Sequence, residues 1–167
     1  MKIVQELITT LDLQSHPEGG FFKETYRSSE TFEKECLPTK YSGPRNVATS
    51  IYFLLTSNSF SAFHRIKQDE IWHFYTGSPL EIHEIDLEGN YSCTRIGTDL
   101  QKGERPQYVV PAGHWFGATV LEKDSYSLVG CTVSPGFDFA DFELAKRAQL
   151  TQKFPQHEHI VNKLTRI

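Results

Sequence analysis

An all-β fold, a closed barrel or sandwich with short helices at both ends, is predicted by three features of this 167-residue sequence. First, short runs with strand character follow one another from residue 49 to residue 133 with no helical segment between them. Second, each run is bounded by turn-forming residues, which is the spacing of antiparallel all-β architectures. Third, twelve Phe and seven Tyr against one Met give a composition suited to pleated surfaces, where aromatic rings fit well.

Taken in order, Ile3, Val4, Leu7, Ile8 and Leu11 form one helical stripe, so a short amphipathic helix opens the chain and ends before Pro17. Pro17-Glu18-Gly19-Gly20 then turns the chain into a strand over 21–27. Residues 29–46 are polar, carry Pro38, Gly43 and Pro44, and are longer than ordinary connections; they are expected to be a lid or a dimer arm. Strands are predicted at 49–55, 61–66, 70–75, 80–86, 91–96, 108–110, 115–121 and 126–133. The intervening turns are 57–59, 76–79, 88–90, 111–113 and 123–124. After Pro135-Gly136 the period changes: 142–150 is helical in propensity with Asp141 as its N-cap, Pro155 interrupts, and 160–164 adds a last helical turn or two. Without repeats, linkers or low-complexity tracts, a single domain over 1–167 is expected, with the barrel core at about 15–140.

The charge excludes some partners. With a net charge of −4 and a pI near 6.0, and with Lys and Arg scattered among acids, no patch suits a nucleic-acid backbone. No apolar stretch is long enough to span a bilayer and no secretory leader is recognisable, so a cytoplasmic protein is expected. Cys36, Cys93 and Cys131 are odd in number and lack Cys-x-x-Cys spacing, which argues against a disulfide framework or a Cys-rich zinc site.

The stretch that carries chemistry is His64 to Gly77, where two strands meet at a turn with a His before it and a Glu after it. A second piece, Val110-Pro111-Ala112-Gly113-His114-Trp115-Phe116, opens another strand after a Pro-x-Gly turn. Together these resemble the two motifs of the cupins. His64, Glu70 and Gly77 match the first His, the Glu and the Gly of the first motif, and Pro111 and Gly113 match the turn of the second. The resemblance extends to an uncharacterised cupin subfamily through Pro-Glu-Gly-Gly (17–20), Glu-Thr-Tyr-Arg-Ser (24–28), Glu-x-Trp-His (70–73), Pro-Ala-Gly-x-Trp-Phe (111–116) and Val-x-Pro-Gly-Phe-x-Phe (133–139), and covers about residues 11–150. It implies a jelly-roll β-barrel, a homodimer formed by strand pairing, and a likeness to the metal-free sugar-nucleotide epimerases of the dTDP-4-keto-6-deoxy-sugar 3,5-epimerase type.

The departures from the motifs bear on metal. Ile66 stands where the first motif has its second His, and Phe116 where the second motif has its own. Metallocupins hold their metal with three His and one carboxylate, so neither a metal nor any other cofactor is expected here. His114, two residues before Phe116 and on the same strand face, is a displaced candidate.

The candidate catalytic residues are therefore His64, Glu70 and Tyr26. His64 and Glu70 from consecutive strands can form an acid–base dyad inside a barrel, or satisfy each other as the remnant of a metal site. Tyr26 and Glu24 share a strand face with Phe22, placing a second proton-transfer group opposite His64, unless that edge is solvent-facing. Trp72, Phe74 and Phe116 share inward parity and are candidate ligand-stacking rings, or simply core; Glu24 and His114 complete the ligand-binding set. Three functions fit: a metal-independent isomerase or epimerase of a small polar carbonyl compound, a non-catalytic binding module, and a metal-dependent cupin with a reduced ligand set.

Overall fold

Alternation along the strands sorts the apolar side chains into three clusters, and these fix the architecture. The computed structural model describes residues 2–166. The chain runs α1 (Lys2–Thr10), β1 (Gln14–Ser15), β2 (Phe21–Arg27), β3 (Thr31–Phe32), β4 (Arg45–Asn46), β5 (Thr49–Thr56), β6 (Phe60–Arg65) and β7 (Asp69–Gly77). It continues with β8 (Leu80–Ile85), β9 (Tyr91–Ile96), β10 (Gln107–Val110), β11 (Trp115–Val120), β12 (Tyr126–Ser134), β13 (Glu143–Leu144), α2 (Arg147–Lys153) and α3 (Glu158–Lys163).

One sheet has the order β1-β2-β5-β12-β7-β10 and the other β13-β6-β11-β8-β9, all pairs antiparallel. Phe53, Trp72, Ile82, Phe116, Ala118 and Val129 from both sheets meet between them as the barrel core. Leu54 and Leu128 point the other way and are covered by Leu7 and Ile8 of α1. Phe63, Ile85 and Trp115 back the second sheet and are covered by Leu150 of α2 and Val161 and Leu164 around α3. The all-β jelly roll with terminal helices is thus as the sequence predicts, and among the described residues no helix is long and apolar enough to cross a membrane.

Two local expectations are corrected. The helix predicted at 142–150 begins only at Arg147. Before it, Glu143 and Leu144 pair with Arg65 and His64 of β6, so strand pairing overrides helical propensity there. Asp141 is not an N-cap: its buried carboxylate accepts bonds of 2.7 Å from Arg45 Nε and Nη2 and of 2.8 Å from Gln68 Nε2, with Lys67 Nζ at 3.3 Å. The same pair ties down the long 29–46 segment. β3 and β4 pair with each other, Tyr41 is buried, and Arg45 clamps the return of the segment to the barrel.

Candidate functional site

β6 and β7 follow each other in the chain but lie in opposite sheets, so their inward side chains converge across one end of the barrel. His64 comes from β6 and Glu70 from β7, and both are buried. A third group arrives from the turn before β2. Gly19 and Gly20 hold φ of 119° and 71°, conformations that suit glycine, and a Cβ on Gly19 would strike the Phe60 carbonyl. That turn carries the buried Glu18 inward. Its Oε1 accepts from Ser61 Oγ at 2.8 Å, and its Oε2 lies 3.1 Å from His64 Nε2 and 3.3 Å from His16 Nδ1.

The hydrogen-bond pattern sets the protonation of His64. Its Nδ1 is 2.7 Å from the carbonyl of Ala62, an acceptor only, so Nδ1 carries a proton. Nε2 therefore meets Glu18 Oε2 either as a bare lone pair or as a second N–H, and one proton must lie between them. Burial pushes the Glu18 carboxyl up, against the charge of His16 and the bond from Ser61. Burial also pushes His64 down, against the charge of Glu70 and the bond to Ala62. Both shifts favour the neutral pair, with the proton on Glu18.

Glu70 differs from Glu18 in having no such partner. Among the described residues it accepts no hydrogen bond from nitrogen or hydroxyl; the Cys131 thiol beside it is a weak donor. Burial raises its carboxyl to about 7, the charge of His64 opposing and that of Glu18 adding. Cys131 in turn is driven well up by burial and by Glu70, which keeps it an inert thiol.

These groups line a cavity of about 340 Å³ whose walls include Phe22, Phe53, Phe137, Phe139 and Phe142. Glu24 also lines it, joined to Arg27 by bonds of 2.8 and 2.7 Å. Tyr26 does not. The pairing of β2 with β5 steps from Glu24↔Ile51 to Tyr26↔Ser50, so Thr25 is bulged and parity flips beyond it. Arg27 then joins the face of Phe22 and Glu24, while Tyr26 is 55% exposed, and the expected His64–Tyr26 pairing is not formed.

The expected stacking rings lie deeper. Trp72 and Phe116 are each 1% exposed in the core, Phe74 packs against that core, and none of the three reaches the cavity wall. Phe116 instead supports His64, with ring centroids 4.1 Å apart. His114 is directed to Glu84, with Nδ1 2.7 Å from Oε1, while Tyr108 donates to the other carboxylate oxygen at 3.1 Å; this cluster is separate from the cavity.

A family model described as cupin superfamily (DUF985) matches residues 5–145. The chain belongs to the cupin superfamily. This cupin is 34% identical over 152 residues to the uncharacterized protein YML079W of Saccharomyces cerevisiae, covering 86% of this chain and 75% of the yeast protein. It also resembles the crystal structure of protein SO0799 from Shewanella oneidensis, at 42% identity and a TM-score of 0.88, over 97% of this chain and 96% of that one. A hypothetical protein from Leishmania major matches at 36% identity and a TM-score of 0.89, over 98% of both chains.

The cupin fold often carries a metal, but the residues here do not fit one in the cavity. Ile66 and Phe116 contribute hydrocarbon where imidazoles would be needed, and His16 and Glu18 form a chain of contacts with His64 rather than a convergent shell. Among the described residues, the donors that do gather are Glu81, His83 and Cys93, on the outer face of β8 and β9. Both His83 nitrogens are there engaged by Tyr91 and Thr119 hydroxyls, and Glu81 by Arg95.

His16, Glu18, Arg27 and the 137–142 aromatic segment went unassigned by sequence reasoning. Glu18 was legible only as a turn residue in Pro-Glu-Gly-Gly. The signal lay in that turn: paired glycines beside an acid aim a side chain as readily as they reverse a strand.

Proposed function

We propose that this cupin binds a small polar carbonyl compound in the cavity and moves a proton at the carbon next to the carbonyl, as an isomerase or epimerase. The reading rests on Glu70. A buried carboxyl with no strong donor of its own, facing a cavity and poised near pH 7, suits proton abstraction at neutral pH. The Glu18–His64 pair supplies the complement. Its single shared proton can stabilise or protonate an oxygen that gains negative charge as Glu70 takes the carbon-bound proton. Glu70 then returns the proton to the former carbonyl carbon while the hydroxyl proton on the neighbouring carbon passes back to the Glu18–His64 pair, a redox-neutral isomerisation. Inversion at the original carbon instead takes its proton on the opposite face from water at the cavity mouth, Glu70 losing its own to solvent. The phenylalanine walls present an apolar surface that lowers the local dielectric, which strengthens both effects.

The test is hydrogen exchange. Fructose, ribulose and dihydroxyacetone are incubated with the protein in heavy water, and deuterium at the carbon next to the carbonyl is followed by proton NMR. Protein-dependent exchange that falls by roughly 100-fold or more in Glu70→Gln supports the reading, that being the usual scale of a general base. Exchange that persists in both Glu70→Gln and His64→Ala contradicts it. Binding in the cavity without exchange would leave a non-catalytic binding module.

A further inference from the structure

The charge of the ligand follows from which cavity groups already have partners, given the reading above that this cavity is the binding site. Glu18 and His64 share one proton and are neutral as a pair. Arg27 is the one cation among the described lining residues, and its donors are all committed. Nε and Nη2 bond to Glu24, Nη1 to the Asn46 side chain, and Nη1 and Nη2 to the Phe137 carbonyl. Arg65 and Lys67 lie in a neighbouring groove beyond Ile66 and Phe142, where they are paired with Glu143 and Asp141.

Two carboxyl groups are left over. Asp138 sits exposed at the mouth, accepts only the backbone N–H of Ala140 at 2.8 Å, and forms no ion pair among the described residues. Glu70 lies inside, 8% exposed, reaching the cavity with no nitrogen or hydroxyl donor among the described residues. Arg27 and Arg45 act on Asp138 through space, but each is held by another carboxylate, Glu24 and Asp141. An anionic ligand would therefore meet two carboxyl groups without an ion pair of their own and, among the described lining residues, no cation with a free donor. A cation meets the reverse, together with Phe137 and Phe139 at the same mouth; aromatic rings attract cations through their quadrupole.

We propose that the cavity takes a small organic cation: a carbonyl compound bearing a protonated amine, its ammonium held between Asp138 and the Phe137–Phe139 rings and its reactive carbon at Glu70. The arrangement disfavours phosphorylated and carboxylated compounds, nucleotide sugars included.

The test uses probes matched in ring size and differing in charge: cyclohexylammonium, cyclohexanol and cyclohexanecarboxylate, titrated at pH 7.5 and low salt against the full chain with amide NMR shifts as the readout. The expected result is binding that shifts cavity amides, in the order cation, neutral, anion, with a cation-to-anion ratio of about ten or more. Asp138→Asn should reduce that ratio roughly three- to fivefold, whereas Glu70→Gln should retain most of the preference. An anion that binds as tightly as the cation, or a ratio unchanged in Asp138→Asn, overturns the charge assignment alone. No shift of cavity amides with any probe overturns it together with the binding reading.

Discussion

Two buried ionic clusters lie side by side at the same end of the barrel, and only one of them is complete. Around Asp141, burial pushes the carboxyl up, but bonds from Arg45, Gln68 and Lys67 outweigh it and hold the group below its ordinary value. Every charge there has an opposite partner, and the cluster locks the 29–46 segment to the strand that leads into the C-terminal helices. Around Glu70 the balance is reversed: desolvation dominates, donors are missing, and the open side faces a cavity. The first arrangement suits a clasp. The second has a valence left for something that is not in the chain, which is what separates a functional buried acid from a structural one.

Breaking the clasp should produce the largest change. Asp141→Ala leaves the Arg45 guanidinium buried without a counter-charge and should cost about 3–5 kcal/mol of stability, read by chemical denaturation. At the other cluster, the same kind of measurement should give the opposite sign. Unfolded, Glu70 ionises near 4.5; folded, near 7. The native state therefore holds an extra proton between those values, and stability is lost as pH rises through that window, then stays flat above it. Glu70→Gln removes this loss, so it should stabilise the protein by about 1–3 kcal/mol at pH 8 and by little at pH 4. Loss of exchange activity together with gained stability would mark Glu70 as a strained functional group.

The contrast can be sharpened by pH. If Glu70 is the base, exchange should rise as it ionises, with a midpoint near 7 in the free protein, and level off above. The smallest effect belongs to Tyr26. Because the bulge at Thr25 turns it outward, Tyr26→Phe should leave exchange within about twofold of the parent, the range of surface substitutions.

The fold was legible because its strands are short runs of β-branched and aromatic residues between clear turn signals, and such runs are recognisable without knowledge of the partner strand. His64 and Glu70 were legible through their spacing around one turn. What was hidden depended on long-range geometry. The bulge that exchanges Tyr26 for Arg27 leaves no trace in the alternation of Phe22, Glu24 and Tyr26. Glu18 reaches His64 only because its turn docks on β6, where the Ala62 amide donates to its carbonyl at 2.8 Å. Similarly, 142–150 has the periodicity of a helix, and only the free edge of β6 explains why its first residues are taken as a strand. The inward rings of Trp72 and Phe116 have correct parity but lie one layer below the cavity, and parity carries no information on depth.

The ionisation of a single carboxyl decides whether this cavity can move a proton at neutral pH, and side-chain carbon NMR can observe it directly. With carboxyl resonances assigned through Glu70→Gln, titration should show Glu70 changing charge near pH 7. A midpoint at the ordinary 4.5 would mean that water or an unrecognised donor already satisfies the group, and the case for proton transfer in this cavity would be lost.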